Sequence, residues 1–143
     1  MELLGEVGDR LRALLGRLEG RAAGAWRVEG GTLAQVAFVT TPDMAAEVAR
    51  GFAAATERVD LGRVELAIAR AAATALAVVS IAEELPAGTG SGFWLRAFGA
   101  ARSIAVPVEG ANGRVAWVVS VALGAEPSAA EVEAAIRGEG WPG

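Results

Sequence analysis

Two glycine turns constrain this chain more than any other feature. Gly30-Gly31 separates the β-favouring stretches 25–29 and 33–40, and Asn112-Gly113 separates 102–108 from 115–123. Paired turn residues of this kind supply the positive-φ positions of a tight hairpin. A hairpin joins antiparallel neighbours, so no sheet containing these stretches is purely parallel. At 143 residues the chain fits one domain and can enclose a hydrophobic core.

Helical spacing fills most of the rest. Leu4, Val7, Leu11, Leu14 and Leu18 recur three or four apart over 2–18, with acids early and arginines later, which suits the helix dipole. Gly5, Gly8 and Gly16 each weaken that helix by roughly 1 kcal/mol relative to Ala, so the apolar stripe needs a partner. Pro42 and Asp43 make a break and an N-cap before a helix through Met44, Val48 and Phe52. Residues 57–62 read as a polar connector, and 64–74 as a helix with Val64, Ile68 and Ala71 or Ala72 on one side. After Thr74 the period changes, and 76–81 reads as a third strand. Residues 86–92 form a Gly/Pro/Ser/Thr-rich loop before a short helix over 93–98. Pro107 marks its strand as an edge or a bulge. Pro127-Ser128 opens a final helix through Val132 and Ile136, and 138–143 is a tail, flexible or docked by the ring of Trp141. The predicted class is α+β: one domain over 1–143 with a central antiparallel sheet flanked by helices.

Composition removes many chemistries. The chain has no Cys, His, Lys or Tyr, so thiolate, imidazole and amine catalysis are unavailable to it. All its basic residues are Arg, none clustered, and the net charge is -4. Nothing there builds a phosphate-tracking surface, so no nucleic-acid partner is expected. No uncharged run, 71–82 among them, is long enough to span a bilayer. The start lacks a secretion signal, and a cytoplasmic location without a membrane partner is the expectation.

Two stretches, GFAAATERVDLGRVELAIARAAAT at 51–74 and SGFWLRAFGAARSIAVPVEGANGRVAWVVSVAL at 91–123, resemble the GAF domain family. In the second, Ser103, Val106, Pro107 and Val108 match the family's strand pattern, and Gly113 its hairpin glycine. The resemblance covers about 24–136. It implies a GAF-like, PAS-related antiparallel sheet of five or six strands with a cavity on one side. It also implies a regulatory domain that binds a small molecule or only dimerises. Departures narrow the list. Bilin attachment and free-methionine-sulfoxide reduction require Cys, histidine-ligated haem requires His, and the N-K-F-D-E signature of cyclic-nucleotide binding is absent.

Candidate sites follow from scarcity and position. Trp26, Trp94 and Trp117 fall on elements that line the interior and offer stacking surfaces, although packing is the commoner use of a tryptophan. On 115–123, Val115, Trp117, Val119, Val121 and Leu123 share one face. Ala116, Val118, Ser120 and Ala122 share the other, leaving room for a ligand or a close helix. Arg102 beside Ser103 and the glycine loop offers an anion site, against the plainer reading of a salt bridge. Ser80 offers a hydroxyl on the third strand. Glu83 and Glu84 point opposite ways in extended structure and make no shared catalytic or metal site. GTGSG at 88–92 fails as a phosphate loop, since Phe93-Trp94 follows where Lys and a hydroxyl are needed.

These readings converge on a non-enzymatic regulatory or signalling domain with no cofactor and no metal. Self-association as a homodimer through Leu4, Val7, Leu11, Leu14 and Leu18 is the first expectation. The alternative is a small-molecule sensor with a cavity beneath 86–92, signalling to a partner protein. An enzyme is the third and least favoured reading.

Overall fold

The computed structural model describes residues 2–142. Met1 and Gly143, within the expected 1–143 domain, lie outside the described residues. The chain runs α1 (Glu2–Leu18), β1 (Ala22–Glu29), β2 (Thr32–Thr40), α2 (Ala46–Ala55), β3 (Arg58–Asp60), α3 (Ala67–Thr74) and β4 (Val78–Ile81). A 3-10 turn (Ala82–Glu84), α4 (Gly90–Phe98), β5 (Arg102–Glu109), β6 (Val115–Leu123) and α5 (Ala129–Arg137) follow. One six-stranded sheet has the order β3-β2-β1-β6-β5-β4, with every neighbouring pair antiparallel.

The two predicted ribbons therefore meet in a single sheet. Residues 22–27 of β1 pair with 117–122 of β6, so the hairpins join along their long strands. Residues 57–62 are not a plain connector: Arg58–Asp60 pairs with Thr32–Ala34 and closes one edge. Only Val59 of that strand is buried, too little for an apolar alternation to reveal it. At the other edge β4 reaches only Ala105 of β5. Pro107 lies beyond it and pairs with Val118 on β6 alone, so its missing N–H costs no ladder bond toward β4.

Helices cover both faces. Against one lie α1 and α5, burying Val7, Leu11, Leu14 and Leu18 with Ile104, Val106, Trp117, Val119, Val121, Leu123, Val132 and Ile136. Val7, Leu11 and Leu14 are wholly inaccessible. Burial on this scale contributes about 1.5–3 kcal/mol per large side chain and offsets the glycines within α1. The Leu stripe thus finds its partner in its own sheet. That corrects the expectation that Val7, Leu11, Leu14 and Leu18 form an interface with a second copy; of the five residues only Leu4 is exposed.

Bulges change the facing of some strand residues. Ala25 pairs with Ala37 and Trp26 with Gln35, leaving Val36 as an extra residue. Val108 pairs with Trp117 and Glu109 with Val115, leaving Ala116 extra. In consequence Val115 packs with the cluster around Trp26, and Ala116 with the α1 side, the reverse of strict alternation.

Helix ends agree with local chemistry more closely at α5 than at α2. Ser128 caps α5 in a reciprocal box with Glu131. At α2 the cap position is Ala45, without a side-chain bond. Asp43, the expected cap, instead accepts from Arg21 at 3.1 Å to both carboxylate oxygens. Val64 is exposed and precedes α3, which begins only at Ala67.

Candidate functional site

The second face of the sheet is covered less completely. Over it lie α2, α3 and α4, and α2 has no buried residue. Between these helices and the strands is a partly open cavity of about 290 Å³. Gly24 and Trp26 of β1, Ser103 of β5 and Ser120 and Ala122 of β6 form its floor. Small residues there keep the floor low, and the large side chains stand around it.

Aromatic rings build the walls. Phe52 of α2 lies 5.0 Å from Phe38, 5.4 Å from Trp94 and 5.2 Å from Phe98, the last two edge-on. Trp26 meets Phe52 edge-on at 6.4 Å. Such pairs are worth about 0.5–1.5 kcal/mol each beyond the area they bury. They fix the ring planes that a ligand would meet. Trp26 is also held by its indole N–H, which donates to the Thr56 carbonyl at 2.7 Å. Gln35 donates to the Thr56 hydroxyl at 3.0 Å, tying the end of α2 to β2.

α4 begins at Gly90, three residues before the expected start at 93, and its first residues, Gly90 and Ser91, border this cavity. Its glycines answer to sterics, not to phosphate. Gly90 has φ +61°, and a Cβ on Gly92 would overlap the Pro86 carbonyl oxygen. Arg96 pins the same segment by donating to Gly92 and Ala82 carbonyls at 3.1 and 2.7 Å.

Charge is sparse. Arg63 is the single ionisable side chain in the lining, and its Nε donates to Glu65 at 3.0 Å. The Glu65 carboxyl is held below its ordinary value by a bond from its own backbone N–H and then by Arg63. Near neutral pH Arg63 is therefore already paired. No cluster of three or more His, Cys, Asp or Glu able to hold a metal occurs among the described residues.

Of the expected ligand contacts, Trp26, Trp94 and Ser103 come together on this cavity. Ser80 does not reach it: it is buried opposite Ser103 in the β4–β5 ladder and is not among the lining residues. Arg102 turns away altogether. Its Nε donates to the Gly124 carbonyl at 2.7 Å and Nη2 donates to that of Pro127, stapling the segment before α5. The anion site expected of Arg102 is thereby corrected.

Trp117 is on the opposite face. Its indole donates to the Pro142 carbonyl at 2.7 Å, its ring lies 6.3 Å from Trp141, and Arg27 stacks over it at 5.3 Å. Trp141 in turn donates to the Ile136 carbonyl at 2.8 Å, so residues 138–142 are docked by that ring. Glu83 and Glu84 are exposed on the 3-10 turn. A second, more open depression of about 730 Å³ lies by Arg17 and Ser128. Its Ser128 and Glu131 are committed to the α5 cap.

Gly24, Phe38, Phe52, Phe98 and Arg63 complete the site without having been singled out as ligand contacts. The scarcity of aromatics was the available signal, since all four Phe and two of four Trp gather in or beside this wall.

Compared by sequence, the chain matches no family model and no curated protein. Compared by structure, it resembles many solved proteins. A GAF domain/HD domain protein from Geobacter sulfurreducens superimposes with TM-score 0.68 at 12% identity, over 96% of this chain and 88% of that one. A type II free methionine-R-sulfoxide reductase from Thermoplasma acidophilum gives TM-score 0.67 at 17% identity, over 95% and 84%. The GAF domain of an Acinetobacter phosphoenolpyruvate-protein phosphotransferase gives 0.64 at 12%, over 96% and 76%. Likeness at these identities establishes the fold, which is GAF-like: an α+β architecture around a six-stranded antiparallel sheet.

Proposed function

On this GAF-like scaffold, we propose a regulatory domain that senses a small molecule in the cavity between the sheet and helices α2, α3 and α4. The observation that carries the reading is the cavity itself. About 290 Å³ of space is walled by Phe38, Phe52, Trp94 and Phe98 and floored by two serines. Ligand sites are typically concave, mostly apolar and furnished with a few polar groups, and volumes near 300 Å³ suffice for a small metabolite.

The coverage of the sheet supplies a way to report occupancy. Helix α2 has no buried residue and leans on the cavity through Phe52. A ligand filling the space would complete the packing of α2 and α4, and so favour their docked arrangement over looser ones. The fold shared with solved GAF domains supports a regulatory role by analogy.

We read the domain as non-enzymatic. The chain has no cysteine, so the thiol chemistry of a sulfoxide reductase has no nucleophile here, although a solved reductase shares the fold. The cavity lining contains no carboxylate, and its one charged group is paired. General acid-base work has no candidate at that place. Self-association as a homodimer would have to use another surface, because four of the five stripe residues are spent on the core. No described helix is long and apolar enough to cross a membrane.

Native mass spectrometry of gently purified protein, with thermal shift across a metabolite panel, tests the proposal. A retained small molecule, or a stabilising compound that slows amide exchange in α2 and α4, is the expected result. Protein that carries nothing and answers to nothing in the panel would overturn it.

A further inference from the structure

We infer that this cavity takes an uncharged, flat ring molecule whose polar edge rests on Ser103 and Ser120. The inference depends on the cavity reading above and adds the chemical class of the ligand. Three features of the site carry it.

The walls select the body. Phe52 and Trp94 stand edge-on to one another, and Phe38 lies 5.0 Å from Phe52, so the boundary is made of ring faces and edges. An aromatic ligand gains offset or edge-to-face contacts from such a boundary, where a flexible chain would lose entropy without gaining them.

The absence of a free counter-charge in the lining selects the net charge. Arg63, which is 55% exposed at its side chain, is already bonded to Glu65. Arg21 and Arg96 lie outside the lining and donate to the carbonyls of Phe98 and Gly92 respectively. A phosphate or carboxylate ligand would find in the lining only the half-exposed Arg63, whose charge Glu65 already offsets, and an ammonium ligand would meet no carboxylate there. A charge taken into such a place without a partner is strongly disfavoured.

The floor selects the polar edge. Ser103 pairs with Ala122 and Ala105 with Ser120, so the two serines are diagonal neighbours on one face of adjacent strands. Diagonal positions stand about 7–8 Å apart, a span that one amide-sized group bridges between two hydroxyls. Both serines are half-buried, and neither hydroxyl donates a hydrogen bond to another described residue. Each can donate to a carbonyl oxygen or accept from an N–H of the ligand. The Thr56 hydroxyl, by contrast, already donates to the Phe52 carbonyl and accepts from Gln35.

Four probes of one shape test this: naphthalene, 2-naphthamide, 2-naphthoate and 2-naphthamidine, titrated against the full chain by ligand-observed NMR. The neutral amide is expected to bind roughly tenfold or more tighter than the anion and the cation. In the double variant Ser103→Ala, Ser120→Ala, binding of the amide should fall to the level of naphthalene, whose own binding should not change. Tightest binding by 2-naphthoate would overturn the inference in favour of an anion held at the first turn of α4 or by Arg63. Equal binding of amide and naphthalene in the wild type would overturn the role of the serines. Failure of all four to bind would overturn the cavity reading itself, and this inference with it.

Discussion

A Cβ on Gly24 would stand 2.5 Å from Cη2 of Trp26, because the Trp26 indole folds back over its own strand across the space a side chain would take. The ring can lie there only over glycine, and its placement sets the depth of the cavity floor. Gly24→Val should therefore push the indole toward Phe38 and Phe52. The expected cost is about 1–3 kcal/mol, as for other overpacked interiors, together with loss of probe binding. Urea denaturation and the tryptophan emission maximum report both effects. A variant with unchanged emission and midpoint would show that the ring does not depend on this glycine.

The Leu stripe of α1 is intrachain core, so its truncation should unfold the protein and not merely separate subunits. Leu11→Ala removes a side chain with no exposed surface and is expected to cost about 2–5 kcal/mol. Leu4→Ala, at an exposed position, should stay within about 0.5 kcal/mol of the parent. Chemical denaturation alongside sedimentation decides the matter. A Leu11→Ala protein of undiminished stability whose only change is in mass would contradict this placement.

How far the sequence disclosed these arrangements depends on what each signal encodes. Gly30-Gly31 and Asn112-Gly113 act locally, so both hairpins were legible, as was the capped start of α5. The spacing of Val7, Leu11 and Leu14 shows that one helix face is buried but carries nothing about what buries it. Chain and partner copy look alike at that level. Alternation along β6 placed Trp117 and Ser120 on opposite faces correctly. It failed at Val115 and Ala116, because a bulge arises from pairing with β5 and leaves no mark in β6 alone. Arg102 was read as an anion ligand from its neighbours in sequence, while its partners, Gly124 and Pro127, lie more than twenty residues away. The cavity is a remainder between elements, and a remainder has no local code.

Gly88, just before α4, and Gly92, in its first turn, look interchangeable in sequence and should behave differently. Gly92→Ala places a methyl against the Pro86 carbonyl, which is backbone and moves only if α4 shifts. Gly88→Ala meets nothing within 4 Å. We expect the first to lose about 1–3 kcal/mol and the second to lie near neutral. Thermal unfolding of the two variants side by side checks it; equal midpoints would mean that the Pro86 segment yields freely.

Glu65 offers a pH test of the cavity rim. Its carboxyl should titrate below 4.5, held down first by its own backbone N–H and then by Arg63. With the folded value depressed, its contribution to stability is present above the unfolded carboxylate value and lost as pH falls through the lowered one. Arg63→Gln should raise the midpoint only part of the way, since the backbone bond remains. Carboxyl-carbon NMR titration reads this directly. A midpoint at or above 4.5 in the wild type would mean that Arg63 is not engaged, leaving a free cation at the mouth of the cavity.

The two ends of α2 are held differently. Its start at Ala45 has no side-chain cap, whereas its end is tied through Thr56 to Gln35 and Trp26. Fraying should therefore proceed from the front, past Glu47 and Val48, toward Phe52. Amide exchange in the unliganded protein should be fastest over that first turn and slowest at Thr56. Phe52→Ala should extend the fast region to the end of the helix by removing its ring contacts with Trp94 and Phe98. A ligand in the cavity restores just those contacts from the other side, so it should protect the wild-type helix and have far less effect on the variant. Uniformly slow exchange along α2 before any ligand is added would show that the helix is already fully docked, and would remove the means by which occupancy is reported.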